Sequence, residues 1–136
     1  MVSSEAFLSM VNNLILSEEK EVRHFGYGLL SDIVKLNAVS NEQAYHFVQT
    51  IAQSMDRVNA TSINNALMCI TEIIDTHKEV GVKHTREILE VIVDFILKFP
   101  NSNVIFYYIV KLPKLYLLNF SRMFGRLANI DLNSAK

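Results

Sequence analysis

Apolar residues recur along this chain at intervals of three and four, the spacing of one face of an α-helix. Phe7, Leu8, Val11, Leu14 and Ile15 predict a first helix over Ser4–Leu16. The pattern predicts a second over Glu18–Asn37, capped by Ser17, with Val22, Phe25, Gly26, Leu29, Leu30, Ile33 and Leu36 as its inner stripe. Glu18, Glu19 and Glu21 suit the positive end of that helix's dipole. Lys20, His24, Tyr27, Ser31 and Lys35 fall on the opposite face. Gly26 lies inside the stripe, where a missing side chain lets a neighbouring helix come close.

Ser40-Asn41-Glu42-Gln43 is a capping-box pattern and starts a third helix. Its stripe is Ala44, Phe47, Val48, Ile51, Ala52 and Met55, broken by Asp56 to Asn59. A fourth helix begins near Ala60 to Ser62, turns Ile63, Ala66, Leu67, Ile70 and Ile74 inward, and ends before Gly81, a loop or capping glycine. The fifth, Lys83–Lys98, is apolar over more than half its circumference, which implies two neighbours. A sixth starts at Val104 and must kink or end at Pro113, whose ring removes a hydrogen bond and clashes with the preceding turn. Pro113 is tolerated in a first turn, so a seventh helix follows to about residue 130, leaving DLNSAK as a frayed tail.

The helices repeat. Val22, Phe25, Gly26, Leu29 and Ile33 match Ile63, Ala66, Leu67, Ile70 and Ile74 at an offset of 41. Ala44, Phe47, Val48, Ile51, Ala52 and Met55 match Ile88, Val91, Ile92, Phe95, Ile96 and Phe99 at an offset of 44. Two-helix units of this length mark stacked helical repeats. The expected fold is therefore all-α: a right-handed αα-superhelix of about three hairpins (4–37, 40–78 and 83–112) and a C-terminal helix (113–130), in one domain of 136 residues.

Glu21-Val22-Arg23 at the start of a second helix, with Leu29-Leu30 and Ile33-Val34 further along, resembles the HEAT/armadillo repeat family. The resemblance implies that second helices line a concave side and that the arginine ties neighbouring repeats together. It departs from the family pattern later, where Ile63-Asn64 and Val104-Ile105 replace the Val-Arg pair, and in lacking the first-helix proline. Locally, Lys111-Leu112-Pro113-Lys114-Leu115-Tyr116-Leu117-Leu118-Asn119 resembles a helix of domains that bind the RNA polymerase C-terminal tail, with Asn119 where that family has an aspartate.

Composition narrows the function classes. Four glycines, two prolines and no period-two alternation exclude a β-rich fold. A net charge of −1 gives no overall electrostatic case for nucleic acid or an anionic membrane. A lysine pair and Pro113 interrupt the apolar run near the end, which is too short to span a bilayer. One cysteine, Cys69, rules out an intramolecular disulfide and suits a reducing compartment. Met1 to Leu16 has no basic leader region, so an intracellular location, cytoplasmic or nuclear, is expected. Asn59-Ala60-Thr61 and Asn119-Phe120-Ser121 are read as chance glycosylation patterns.

Catalytic chemistry finds no motif. His24, His46, His77 and His84 form neither HExxH nor a Cys/His cluster. Gly26-Tyr27-Gly28 lies within a helix, where no phosphate loop forms. Glu87, Glu90 and Asp94 read as one solvated helix face. The expectation is a non-enzymatic module with no catalytic residue, metal or cofactor. Its candidate protein contacts are Arg23, His24, Tyr27, Asn64, Asn65 and Met68 on the second helices. A second set is Tyr107, Tyr108, Lys111, Lys114, Tyr116 and Phe120 in the apolar segment Val104–Phe124, which either caps the stack or supports self-association. The alternatives are a trafficking or lipid-associated helical domain, or one that binds RNA or the polymerase tail.

Overall fold

The computed structural model describes residues 4–57, 62–119, 121 and 122, and among them every regular element is helical. The elements are α1 (Glu5–Ile15), α2 (Lys20–Lys35), α3 (Asn41–Gln53) with a 3-10 turn (Ser54–Arg57), α4 (Ile63–Thr76), α5 (Lys78–Lys83), α6 (Thr85–Lys98) and α7 (Asn103–Ile109). A further helical segment, α8, covers residues 114–119. The expected tail, Phe120 and the far end of the seventh helix lie outside the described residues.

Caps explain most of the boundaries. Ser4 accepts from the Phe7 amide at 3.2 Å and opens α1. The Ser40 capping box forms in full: the Ser40 hydroxyl accepts from the Gln43 amide at 3.2 Å, and Gln43 Oε1 accepts from the Ser40 amide at 2.8 Å. Ser17 does not cap α2, contrary to the sequence pattern. Its hydroxyl instead accepts from the Glu19 amide at 3.1 Å, which tightens the turn and delays the helix to Lys20. α2 closes in a Schellman arrangement, with Asn37 at φ 54 and the Ala38 and Asn37 amides donating to the Ile33 and Val34 carbonyls, both at 2.9 Å.

The stretch around Gly81 departs from expectation. α4 stops at Thr76, because His77 takes ψ 71, and the chain then winds into the short α5 with Gly81 inside it. The expected fifth helix, Lys83–Lys98, forms as α6, and α5 is an additional short helix ahead of it. At the other end, α7 stops at Ile109, and the carbonyl of Pro113 accepts from the Tyr116 and Leu117 amides to open α8.

α1 packs on α2, α3 on α4, α2 on α4, and α4 on α7. The helices α2, α4 and α7 therefore form one row, with α1, α3 and α5 along the other side. The buried side chains form a single core running through α1 to α8. Gly26 is where α1 and α2 touch most closely: a Cβ there would meet Leu14 Cβ at 2.8 Å and the Ile15 amide nitrogen at 2.9 Å. The sequence expectation of a close approach at this glycine holds.

The buried faces correct the expected repeat by one residue. Arg23, Gly26, Tyr27, Leu30, Ile33 and Val34 are buried on α2, and Ile63, Ala66, Leu67, Ile70, Ile73 and Ile74 on α4. Arg23 to Ile63 and each pair after it are 40 apart, not 41. Phe25 and Leu36, counted in the inner stripe, are exposed, whereas Tyr27 and Ser31, assigned to the outer face, are buried. Of the positions matched at 44, Ala44, Val48 and Ile51 are buried on α3 and Ile88, Ile92 and Phe95 on α6, but α5 and not α6 packs beside α3.

Candidate functional site

The second-helix candidates prove to be the fastenings between helices. The Arg23 guanidinium is only 4% exposed. Its Nη1 donates to the carbonyls of Ser17 at 3.0 Å and Glu18 at 2.8 Å, which have no helical partner in the α1–α2 turn. The arginine thus closes its own hairpin and does not reach the next one. Tyr27 is fully buried, its hydroxyl 2.6 Å from that of Ser54, which in turn donates to the Ile51 carbonyl at 2.7 Å. The Cys69 thiol donates to the Tyr27 carbonyl at 3.0 Å. Availability to a partner is therefore corrected for Arg23 and Tyr27, since both side chains are buried inside the fold.

Asn64 and Asn65 pull in opposite directions. Asn65 Nδ2 donates to His24 Nδ1 at 2.8 Å, back toward α2. Asn64 Oδ1 accepts from the Tyr108 hydroxyl at 2.8 Å, forward toward α7. Lys35 adds an ion pair to Glu72 at 3.6 Å between α2 and α4. Met68 is half-buried and packs against the core. Of the six second-helix candidates only Asn64 is classed as exposed, and its carbonyl is already engaged.

The C-terminal candidates divide. Tyr116 is 1% exposed, and its hydroxyl donates to the Gly81 carbonyl at 2.6 Å, beside Thr85, which donates to the same oxygen at 2.7 Å. Burial pushes the Tyr116 phenol up to about 12, opposed by its hydrogen bond with Thr85. Tyr108 is buried too, so both tyrosines are anchors for α7 and α8, not contact residues. Tyr107, Lys111 and Lys114 are exposed. The Lys111 ammonium sits 3.9 Å from the centre of the Tyr107 ring, a cation–π contact.

The same two helices also expose apolar side chains, in the segment the sequence pattern marked. Val110 is 73% exposed, Phe106 62% and Leu118 55%, and Leu115 and Leu117 are exposed too. Lys111, Lys114 and Arg122 are exposed in the same stretch of chain. No aspartate or glutamate occurs between Asp94 and Asp131.

Two grooves run along the other side of the molecule. One of about 380 Å³ lies between α1 and α3, over Leu8, Asn12, Glu42, His46 and Phe47. The next, about 320 Å³, lies between α3 and α5. There Tyr45 and His84 stack at 3.6 Å with 9° between their rings, and Asn41 holds both His77 Nδ1, at 2.8 Å, and Glu79, at 2.9 Å. Hydropathy reading found neither groove, since each is made by two helices far apart in the chain.

Among the described residues, no three His, Cys, Asp or Glu side chains gather as a metal site. Nor is any described helix long and apolar enough to cross a membrane. The Cys69 thiol is fully buried, and desolvation raises its pKa far above the ordinary thiol range, so it is not an activated nucleophile. Comparison with protein-family models, curated proteins and solved structures finds no match to this chain.

Proposed function

We propose that this chain is a non-enzymatic protein–protein interaction or scaffold module, built as a right-handed αα-superhelix of HEAT- or armadillo-type hairpins. Two facts support the repeat architecture. Buried positions recur at 40 between α2 and α4, and polar contacts at 41 and 44 residues join α2 to α4 and α4 to α7. The observation that carries the interaction reading is the exposed Phe106, Tyr107, Val110 and Leu118 beside Lys111. Clustered apolar side chains rimmed by charge are what a partner protein covers.

Affinity capture from native extract, comparing the wild type with Val110→Asp and Leu118→Asp, tests this face. Loss of a stoichiometric captured protein is the expected result, and an unchanged set of captured proteins overturns it. A second reading, a peripheral contact with an anionic bilayer, is favoured by one observation: three exposed cations flank this apolar face and no carboxylate interrupts it. Flotation with anionic vesicles at low salt decides it, since failure to float removes the bilayer.

A further inference from the structure

The row α2–α4–α7 has two flanks, and both expose apolar side chains. On α2, Glu21, Phe25, Asp32 and Leu36 follow one another at steps of four, seven and four, so they share one exposed face. Phe25 is 61% exposed and Leu36 77%. On the opposite flank stand Phe106 and Val110, with Lys111 and Lys114 next to them. The flanks also differ in sign. Glu21 and Asp32 are exposed on the α2 face, and Lys111 and Lys114 beside the other. Glu18, Glu19 and Glu21 surround the start of α2, with Lys20 as the single exposed cation among them.

We infer that the partner at the C-terminal face is a second copy of this chain, docking its α2 flank. The inference rests on the protein-interaction reading above and specifies its occupant. Each end of a stack of helices is an unfinished layer whose apolar side has no neighbour. Placing α2 of one copy beside α7 of the next continues the row already formed by α2, α4 and α7. Phe25 and Leu36 then meet Phe106 and Val110, while carboxylates at Glu21 and Asp32 approach Lys111 and Lys114. Opposite charge selects this head-to-tail pairing over head-to-head or tail-to-tail, in which like charges would face each other. The contact is heterologous, so it leaves one free flank at each end and grows into an open chain of copies.

Two single-flank variants test it: Phe25→Asp and Val110→Asp. Both side chains are exposed, so each variant keeps the fold, checked by its helical circular dichroism and melting. Either substitution replaces an apolar contact by a carboxylate that docking must strip of water, which blocks its flank. In sedimentation velocity the wild type is expected to grow with concentration and to shrink as salt screens the charges. Each variant alone is expected to stay a monomer. Mixed in equal amounts they form a dimer and nothing larger, because each retains the flank the other lacks. Three outcomes overturn the inference: a wild type that stays monomeric into the millimolar range, a mixture that remains monomeric, or assembly lost in Val110→Asp but unaffected in Phe25→Asp, which marks a symmetric tail-to-tail dimer. A monomeric wild type that still captures another protein through Val110 sinks the self-assembly and leaves the interaction reading standing. Binding of the monomer to anionic vesicles assigns the face to a bilayer and sinks both.

Discussion

Gly26 and Gly28 lie two residues apart on the same helix, and replacing each by alanine is expected to move stability in opposite directions. Alanine favours a helix interior over glycine by about 1 kcal/mol. At Gly28 a new Cβ meets nothing within 4 Å, so Gly28→Ala keeps that gain. At Gly26 the new carbon falls 2.8 Å from Leu14 Cβ, 2.9 Å from the Ile15 nitrogen and 3.0 Å from the Leu14 carbonyl carbon. Two of those atoms are backbone, so relief requires the end of α1 to shift, not a side chain to rotate. Overpacking of this kind costs about 1–3 kcal/mol, which offsets and then exceeds the helix gain. Gly26→Ala is therefore expected to lose up to about 2 kcal/mol net, or up to roughly 8 °C in Tm for a chain of this size. Urea denaturation with a common m-value reads both changes as shifts in midpoint. A Gly26→Ala protein stabilised as much as Gly28→Ala would refute the close approach of α1 and α2 at this glycine.

Other consequences are equally direct. Tyr116→Phe removes the donor to the Gly81 carbonyl while Thr85 still donates to it, so a loss of about 0.5–1.5 kcal/mol is expected in the same denaturation assay. Burial lowers the pKa of His77, so the unfolded chain takes up its proton first as pH falls. Its contribution is fully present above the unfolded value of about 6.5 and is lost progressively below it. Stability measured between about pH 5 and pH 8 should therefore rise with pH, and His77→Gln should flatten that rise; an unaltered profile would contradict the assignment. Cys69 should resist a thiol reagent such as Ellman's in the native protein and react in full once unfolded, and rapid native labelling would show that the helix packing around it opens. Asn37→Val should cost about 1 kcal/mol, because a β-branched side chain is strained at φ 54, whereas Asn37→Gly should be tolerated.

Helical class and the Ser40 capping box were legible because each depends on residues within one or two turns of one another, and the close approach at Gly26 because a glycine inside an apolar stripe marks it. The orientation of α2 was not. Arg23, Tyr27 and Ser31 are polar by hydropathy and buried in the fold, because turn carbonyls, the Ser54 hydroxyl and α4 lie beside them. Phe25 and Leu36 are apolar and exposed, so a stripe drawn by hydropathy rotates α2 outward by about one residue and yields an offset of 41 in place of 40. α5 escaped notice because six residues containing a glycine carry too little periodicity to register. Of the contact candidates, Tyr107, Lys111 and Lys114 lie on an exposed face, while Arg23, Tyr27, Tyr108 and Tyr116 fasten the interior. A buried tyrosine and a recognition tyrosine look alike in sequence, since each offers an apolar ring and a polar tip.

Tyr116 has a bearing on synthesis. Its hydroxyl reaches a carbonyl 35 positions earlier in the chain, in a cleft bounded by α4, α5 and α6. A ribosome releases those three helices well before residue 116 appears, at about 5–20 residues per second. In the folded chain the cleft between those helices is therefore closed by a residue that follows all of them in sequence.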